Sequence, residues 1–202
     1  GVPSHMIPYG GDLEPPTGTE VLEDLGLDSG EYLLYVSRFE PENNPDRVVE
    51  AYAKTEGRRR LVMVGGAPYA AGLTARVKDL ADDRVVLPGP VYGDGYRQLL
   101  FNCRLYIHAT EVGGTHPALV EAMGAGRPVV YYDTPENREV AGNAGARFRF
   151  EGDPSLEGVL VRLLDDDAEL ENMGRSSRRR IEGGYLWSDV ADAYEKLLEG
   201  LC

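Results

Sequence analysis

The residues best equipped for chemistry lie in one run, Gly113-Gly114-Thr115-His116-Pro117-Ala118-Leu119-Val120-Glu121-Ala122-Met123. Two adjacent glycines let a backbone approach an anion closely, and the start of a helix offers unpaired N–H groups and the positive end of its dipole. Glu121 falls about one turn into that helix, at a rise of ~1.5 Å per residue, within reach of hydroxyls beside a phosphate held at the tip. The chemistry suggested is the binding of a phosphorylated, hydroxyl-bearing ligand. A tight strand-to-helix turn carrying a solvated Glu also explains these residues.

A second constellation is Ser37-Arg38-Phe39-Glu40-Pro41-Glu42-Asn43-Asn44-Pro45. Arg38 can give a two-pronged, charge-assisted bond to a phosphate, and Asn44 could donate its amide to the same anion. Alternatively, Arg38 is a surface ion-pair partner of Glu40 or Glu42. Gly65-Gly66 and Gly89-Pro90-Val91-Tyr92 are further turns that could skirt a ligand, with Val91 and Tyr92 presenting backbone groups and an aromatic face to a base, or serving as plain loops. Glu139 opens a helix, where the dipole favours acids in any case. His5, His108 and His116 are scattered, and there is no nucleophile elbow or Walker sequence, so neither a triad nor a metal centre is expected.

These turns need elements to hold them. Short apolar runs at 32–36, 61–64, 85–87, 105–107, 129–132 and 146–150 read as strands, alternating with helical patterns at 45–54, 70–81, 95–102, 117–123 and 137–142. That rhythm predicts an α/β fold with a doubly wound parallel sheet of six strands. Right-handed crossovers would then put Arg38, Gly65, Gly89, Thr110 and Asp133 along one edge, where such sheets bind ligands. From about residue 154 the pattern is helical only, at 154–164, 168–180 and 188–201. The last of these carries Val190, Tyr194, Leu197 and Leu198 on one face, a stripe expected to pack into the core. Residues 1–30 read as an extended connector and 31–202 as the domain.

A chain of 202 residues can bury one good core. Its net charge of -13 disfavours nucleic acid and anionic lipid as general partners, and with only Lys54, Lys78 and Lys196 as lysines any phosphate clamp should use Arg and backbone amides. Two cysteines, Cys103 and Cys202, are too few for a disulfide framework and fit a reducing cytoplasm. No apolar run is long enough to span a membrane and no secretory leader pattern is present. Beginning at Gly1 rather than Met, the chain reads as a trimmed or excised part of a longer protein.

Three motifs together carry a family resemblance: Ile7-Pro8-Tyr9-Gly10-Gly11-Asp12, Tyr35-Val36-Ser37-Arg38, and Leu119-Val120-Glu121-Ala122-Met123-Gly124-Ala125-Gly126-Arg127-Pro128-Val129-Val130, with Trp187-Ser188-Asp189-Val190-Ala191 as a closing helix. The chain resembles the C-terminal, donor-binding half of GT-B glycosyltransferases of the retaining group often called family 4. Arg38-Phe39-Glu40-Pro41-Glu42-Asn43-Asn44 with Gly113-Gly114-Thr115 looks like its rhamnosyltransferase branch.

The resemblance implies a Rossmann-like half of a GT-B fold and a hexosyltransferase-type activity in polysaccharide biosynthesis. Its substrate would be a nucleoside-diphosphate sugar, with no separate cofactor. The acceptor, a saccharide or a lipid-linked one, would be held by an N-terminal domain, with peripheral membrane association open to the full protein. Glu121 would match the second acid of the Glu-x7-Glu motif and hold the donor's ribose. Gly113, Gly114 and Thr115 would lie against diphosphate or sugar, Arg38 would bind the diphosphate as it departs, and Val91 and Tyr92 would neighbour the base. The motif's first acid is replaced by Gly113, and the usual Lys after the strand-one Arg by Asn44. A sugar-nucleotide epimerase of the same architecture and a non-catalytic scaffold are the competing readings.

Overall fold

A computed structural model describes residues 5–200. The first two helical segments and three strands are α1 (Glu20–Asp24), β1 (Tyr32–Val36), α2 (Pro45–Ala53), β2 (Arg60–Val64) and β3 (Val85–Gly89), with α3 (Ala71–Leu80) between the last two. Then come α4 (Gly93–Asn102), β4 (Leu105–His108), α5 (Pro117–Gly124), β5 (Val129–Tyr132), α6 (Pro135–Ala141) and β6 (Ala146–Phe148). Three helices close the chain: α7 (Leu156–Leu163), α8 (Asp167–Glu182) and α9 (Trp187–Glu199). The strands form one all-parallel sheet in the order β3-β2-β1-β4-β5-β6. This is the expected doubly wound α/β fold, and its winding reverses between β1 and β4.

Period-two alternation builds the layers. Tyr32 and Leu34 of β1 and Val62 and Val64 of β2 face one hydrophobic cluster with residues of α4, α5 and α6, while Leu33, Tyr35, Leu61 and Met63 face a second with α2, α3 and α7. Helix α8 supplies Ile181 to the first and Leu170 and Met173 to the second, so it seals the sheet at its end. Its start is fixed by Asp166, whose carboxylate accepts from Glu169 N at 2.9 Å, as Ser155 Oγ accepts from Gly158 N at the start of α7. Strand β3 runs on through Pro88, which an edge strand tolerates because no ladder bond is lost.

Two expectations need correction. The connector holds a short helix, α1, whose Leu22 is buried with Leu27, and Val21 N donates to Gln98 Oε1 at 2.9 Å. Five residues show too little periodicity to be seen in sequence. The stripe on α9 is also not core: Val190 is buried, but Tyr194 and Leu198 are exposed, because no other described element covers them. The expected end of that helix at residue 201 lies outside the described residues, as does Cys202.

Candidate functional site

A cavity of about 680 Å³ opens at the carboxyl ends of β1, β2 and β4, beside the reversal of strand order. This is where doubly wound sheets bind ligands, and the volume suits a drug-sized or cofactor-sized molecule. Arg38, Val91 and Tyr92 line it, as do Val112, His116, Pro117 and Ala118 from the turn into α5. Arg38, Val91 and Tyr92 thus meet the start of α5 in one cavity, whereas Gly113, Gly114, Thr115, Glu121 and Asn44 are not among its lining residues.

Gly65 shows why one wall has its shape. Its φ of 143° lies outside the range ordinary residues favour, and a Cβ there would stand 1.8 Å from Ser37 O. The absent side chain lets the β1 and β2 loops touch, closing that side of the cavity.

Arg38 is largely solvated, with its side chain 70% exposed, and its Nη2 lies 3.2 Å from Glu40 Oε2. Nη1 also donates to the Tyr69 hydroxyl at 3.4 Å, and that hydroxyl donates in turn to Glu40. An anion arriving at Arg38 must therefore displace Glu40. The start of α5 is sparing in donors: Pro117 has no N–H, and those of Leu119 and Val120 go to the His116 carbonyl, leaving Ala118 N–H nearest the cavity.

Gly113, Gly114 and Thr115 form the bend between Val112 and His116, both of which line the cavity. Gly113, at φ 128°, sits against the His116 ring, where a Cβ would stand 2.8 Å from Cε1. Glu121 is one turn beyond Pro117 on α5 and accepts a 2.7 Å bond from the Tyr96 hydroxyl. Burial, reinforced by Tyr106 and Glu121 itself, pushes the Tyr96 phenol far above its ordinary range, so it stays a donor and holds the carboxylate.

Asn44 is not available to an anion. Its buried amide donates to Ala109 O at 2.9 Å and to Glu111 Oε1 at 3.1 Å, tying the loop after β1 to the loop after β4. Its left-handed backbone, φ 54°, joins the 3-10 turn Pro41–Asn43 to α2. Asp133, at the same sheet edge, is likewise withdrawn: its side chain is paired with Arg138 and Arg149, and the Arg138 bond above all keeps its carboxyl below the usual range.

The polar floor of the cavity joins Thr110, expected at this edge, to residues with no role legible in sequence. Asn43, which lines it, donates to Arg38 O at 2.8 Å and accepts from Thr110 Oγ1 at 3.0 Å, while the Tyr35 hydroxyl donates to Asn43 O. Asn137 donates onward to Thr110 O at 3.0 Å. His108, at the end of β4, stands in this floor with its ring 4.9 Å from that of His116, although the two are far enough apart in sequence to read as scattered. Thr110 carried a signal in its place just past β4, but Asn43 in the 3-10 turn and Asn137 inside α6 had none, because pairing across 27 to 67 positions of sequence gives no local trace.

Comparison with known proteins adds the decisive observation: the profile of the family described as "Glycosyl transferases group 1" matches residues 20–180. The chain belongs to that family. Among its relatives, this group 1 domain is 28% identical over 146 residues to the phosphatidylinositol N-acetylglucosaminyltransferase gpi3 subunit of Schizosaccharomyces pombe, covering 71% of this chain and 32% of that protein. It is 26% identical over 160 residues to the Campylobacter jejuni N-acetylgalactosamine-N,N'-diacetylbacillosaminyl-diphospho-undecaprenol 4-alpha-N-acetylgalactosaminyltransferase, covering 77% and 43%. It therefore spans less than half the length of either.

Among solved structures, sucrose-phosphate synthase from Thermosynechococcus elongatus superposes with a TM-score of 0.81 at 21% identity, covering 98% of this chain and 52% of that one. Anabaena HepE, solved with UDP and glucose, gives 0.77 at 18% identity, covering 90% and 52%. These likenesses establish the GT-B type of fold. Among the described residues no helix is long and apolar enough to cross a membrane.

Proposed function

We propose that this group 1 domain is the donor-binding half of a hexosyltransferase-type glycosyltransferase and holds a nucleoside-diphosphate sugar in the cavity at the β1/β4 reversal. The observation that carries the reading is the meeting of Arg38, Val91, Tyr92 and the Pro117–Ala118 start of α5 in one cavity of suitable size. HepE, a neighbour of the same fold, has been solved with UDP and with UDP-glucose, which supports a donor of this class. Arg38 binds the diphosphate and stabilises its charge as it departs, assisted by Ala118 N–H and the dipole of α5. The bend of Gly113, Gly114 and Thr115 lies along diphosphate and sugar, Glu121 holds the ribose, and Val91 and Tyr92 flank the base. Asn44 keeps the two loops in register rather than touching the donor.

The finer reading is a family 4-like, retaining enzyme of the rhamnosyltransferase branch, supported by the Glu-Pro-Glu-Asn sequence at residues 40–43 and by Gly113-Gly114-Thr115. It acts in the cytoplasm without a further cofactor, on a saccharide or lipid-linked acceptor held by a separate N-terminal domain. Alone, the domain would bind donor and transfer little.

The scaffold reading draws on Gly113 in place of an acid and on Glu40 occupying Arg38. Calorimetric titration with UDP, dTDP and GDP separates the two. At least one should bind with a micromolar to millimolar constant, and failure of all three at millimolar concentration would overturn the donor-binding account.

A further inference from the structure

His108 closes β4 at the floor of the cavity, is only 4% exposed, and its Nε2 has no hydrogen-bond partner. Asn137 Oδ1 is likewise buried and unpartnered. The orientation of that amide is fixed, because its nitrogen donates to the carbonyls of Thr110 and Tyr132, each at 3.0 Å, and only a donor can serve both. Oδ1 therefore acts on His108 as an acceptor does, raising the imidazole's pKa, without meeting hydrogen-bond geometry. Buried polar atoms left open cost about 1–3 kcal/mol each and are normally satisfied. Asn137 Oδ1 is the acceptor at hand for a proton on His108 Nε2, so the ring's other nitrogen, Nδ1, is the one left to meet a ligand in the cavity that His108 lines.

The charge state narrows the partner. Burial first, then the neighbouring His116, push His108 down to about 3 against the opposing effect of Asn137, and burial also lowers His116. Both rings are therefore neutral near pH 7. A neutral imidazole whose N–H is directed at Asn137 offers a ligand only an acceptor, which suits the proton of a hydroxyl; a phosphate takes donors only, and Arg38 already offers them.

We propose that His108, set in its Nε2–H tautomer by Asn137, turns Nδ1 to the cavity as an acceptor for a hydroxyl of the donor's glycosyl group, and so takes part in selecting the sugar. His116 packs against it as the second wall, in the space that Gly113 leaves open. This inference rests on the donor-binding reading above.

The test compares bare and sugar-bearing nucleotides. Calorimetry on the wild-type chain and on His108→Phe would use UDP and dTDP against UDP-glucose and dTDP-rhamnose. The variant should bind the bare diphosphate as the wild type does but lose about tenfold of its relative affinity for the sugar nucleotide, the scale of one hydrogen bond. His108→Asn, which keeps an acceptor near the Nδ1 position, should recover most of that loss.

Proton–nitrogen NMR of the wild-type imidazole gives the same reading with no variant to fold. It should show the Nε2–H tautomer and a change at Nδ1 with a sugar nucleotide that the bare diphosphate does not cause. Diphosphate binding with an unchanged ratio in His108→Phe, or an Nδ1–H tautomer, overturns this inference alone. Absence of any diphosphate binding to the wild type overturns it together with the donor-binding reading.

Discussion

In the proposed function Arg38 is the residue on which anion binding turns, and its setting is a competition. Glu40, buried more deeply than Arg38, holds the guanidinium at 3.2 Å, and the Tyr69 hydroxyl bridges the two. A diphosphate must exchange places with that carboxylate. Arg38→Ala should therefore weaken binding of the preferred nucleoside diphosphate by about 1.5 kcal/mol, the lower end for a charged hydrogen bond, because part of the gain is already offset by the lost ion pair. Glu40→Gln should act in the opposite direction and tighten binding a few-fold. Calorimetry reads both, and unchanged affinity in the two variants would reduce Arg38 to a surface ion pair.

The cavity residues legible in sequence were those whose type alone suggests a ligand, such as Arg38 and Tyr92. Asn44 carried the same local signal, yet its amide serves Ala109 and Glu111, more than sixty positions away. His108 and Asn137 were hidden for the converse reason: each is ordinary in its own segment, and their relation exists only after β4 and α6 come together.

Among the elements, α5 shows how tightly the site's support is packed. Its last residue, Gly124, lies so close to the N-terminal segment that a Cβ would stand 1.8 Å from Gly11 O, and a Cβ on Gly11 would stand 2.6 Å from Val120 O. The segment is pinned from the other side as well, since Gly11 N donates to Tyr185 O at 2.8 Å and Trp187 N to Asp12 Oδ1 at 2.6 Å. Both contacts involve backbone, which cannot rotate away. Gly124→Ala should then destabilise the fold by about 2–3 kcal/mol, as overpacking does, and lower Tm by roughly 5–10 °C in a calorimetric melt. Gly72→Ala in α3, where a Cβ would meet nothing within 4 Å, should leave Tm unchanged or raise it slightly. Equal melting of both variants would mean that α5 and the N-terminal segment are not packed as described.

The strong alternation of apolar runs and helical patterns made every strand visible in the sequence, with β3 extended and β6 shortened at their ends. Helix α1 was invisible because it is held by Gln98 and buried Leu22 rather than by its own pattern. The stripe on α9 misled because spacing shows that residues share a face, not that anything covers that face.

At the scale of the whole molecule, the order of strands was the part no local pattern could supply, since parallel neighbours are joined by crossovers and pair over long separations. Handedness and the doubly wound habit nevertheless pointed to the edge where the cavity lies, because the reversal between β1 and β4 leaves a crevice there whatever the side chains. The side chains then decide what enters. With a net charge of -13 and with Glu40 and Glu42 at the cavity, the surface as a whole repels anions, so the proposed diphosphate would be held by close, directed donors rather than by long-range attraction.

The most direct check is to map where the diphosphate lands, by backbone amide NMR of the chain titrated with UDP and dTDP. The account predicts shifts concentrated at residues 37–43, 65–66, 90–92 and 108–121. Shifts confined to the opposite end of the sheet, at the arginine-lined cleft of Arg104, Arg127, Arg175 and Arg178, would contradict it.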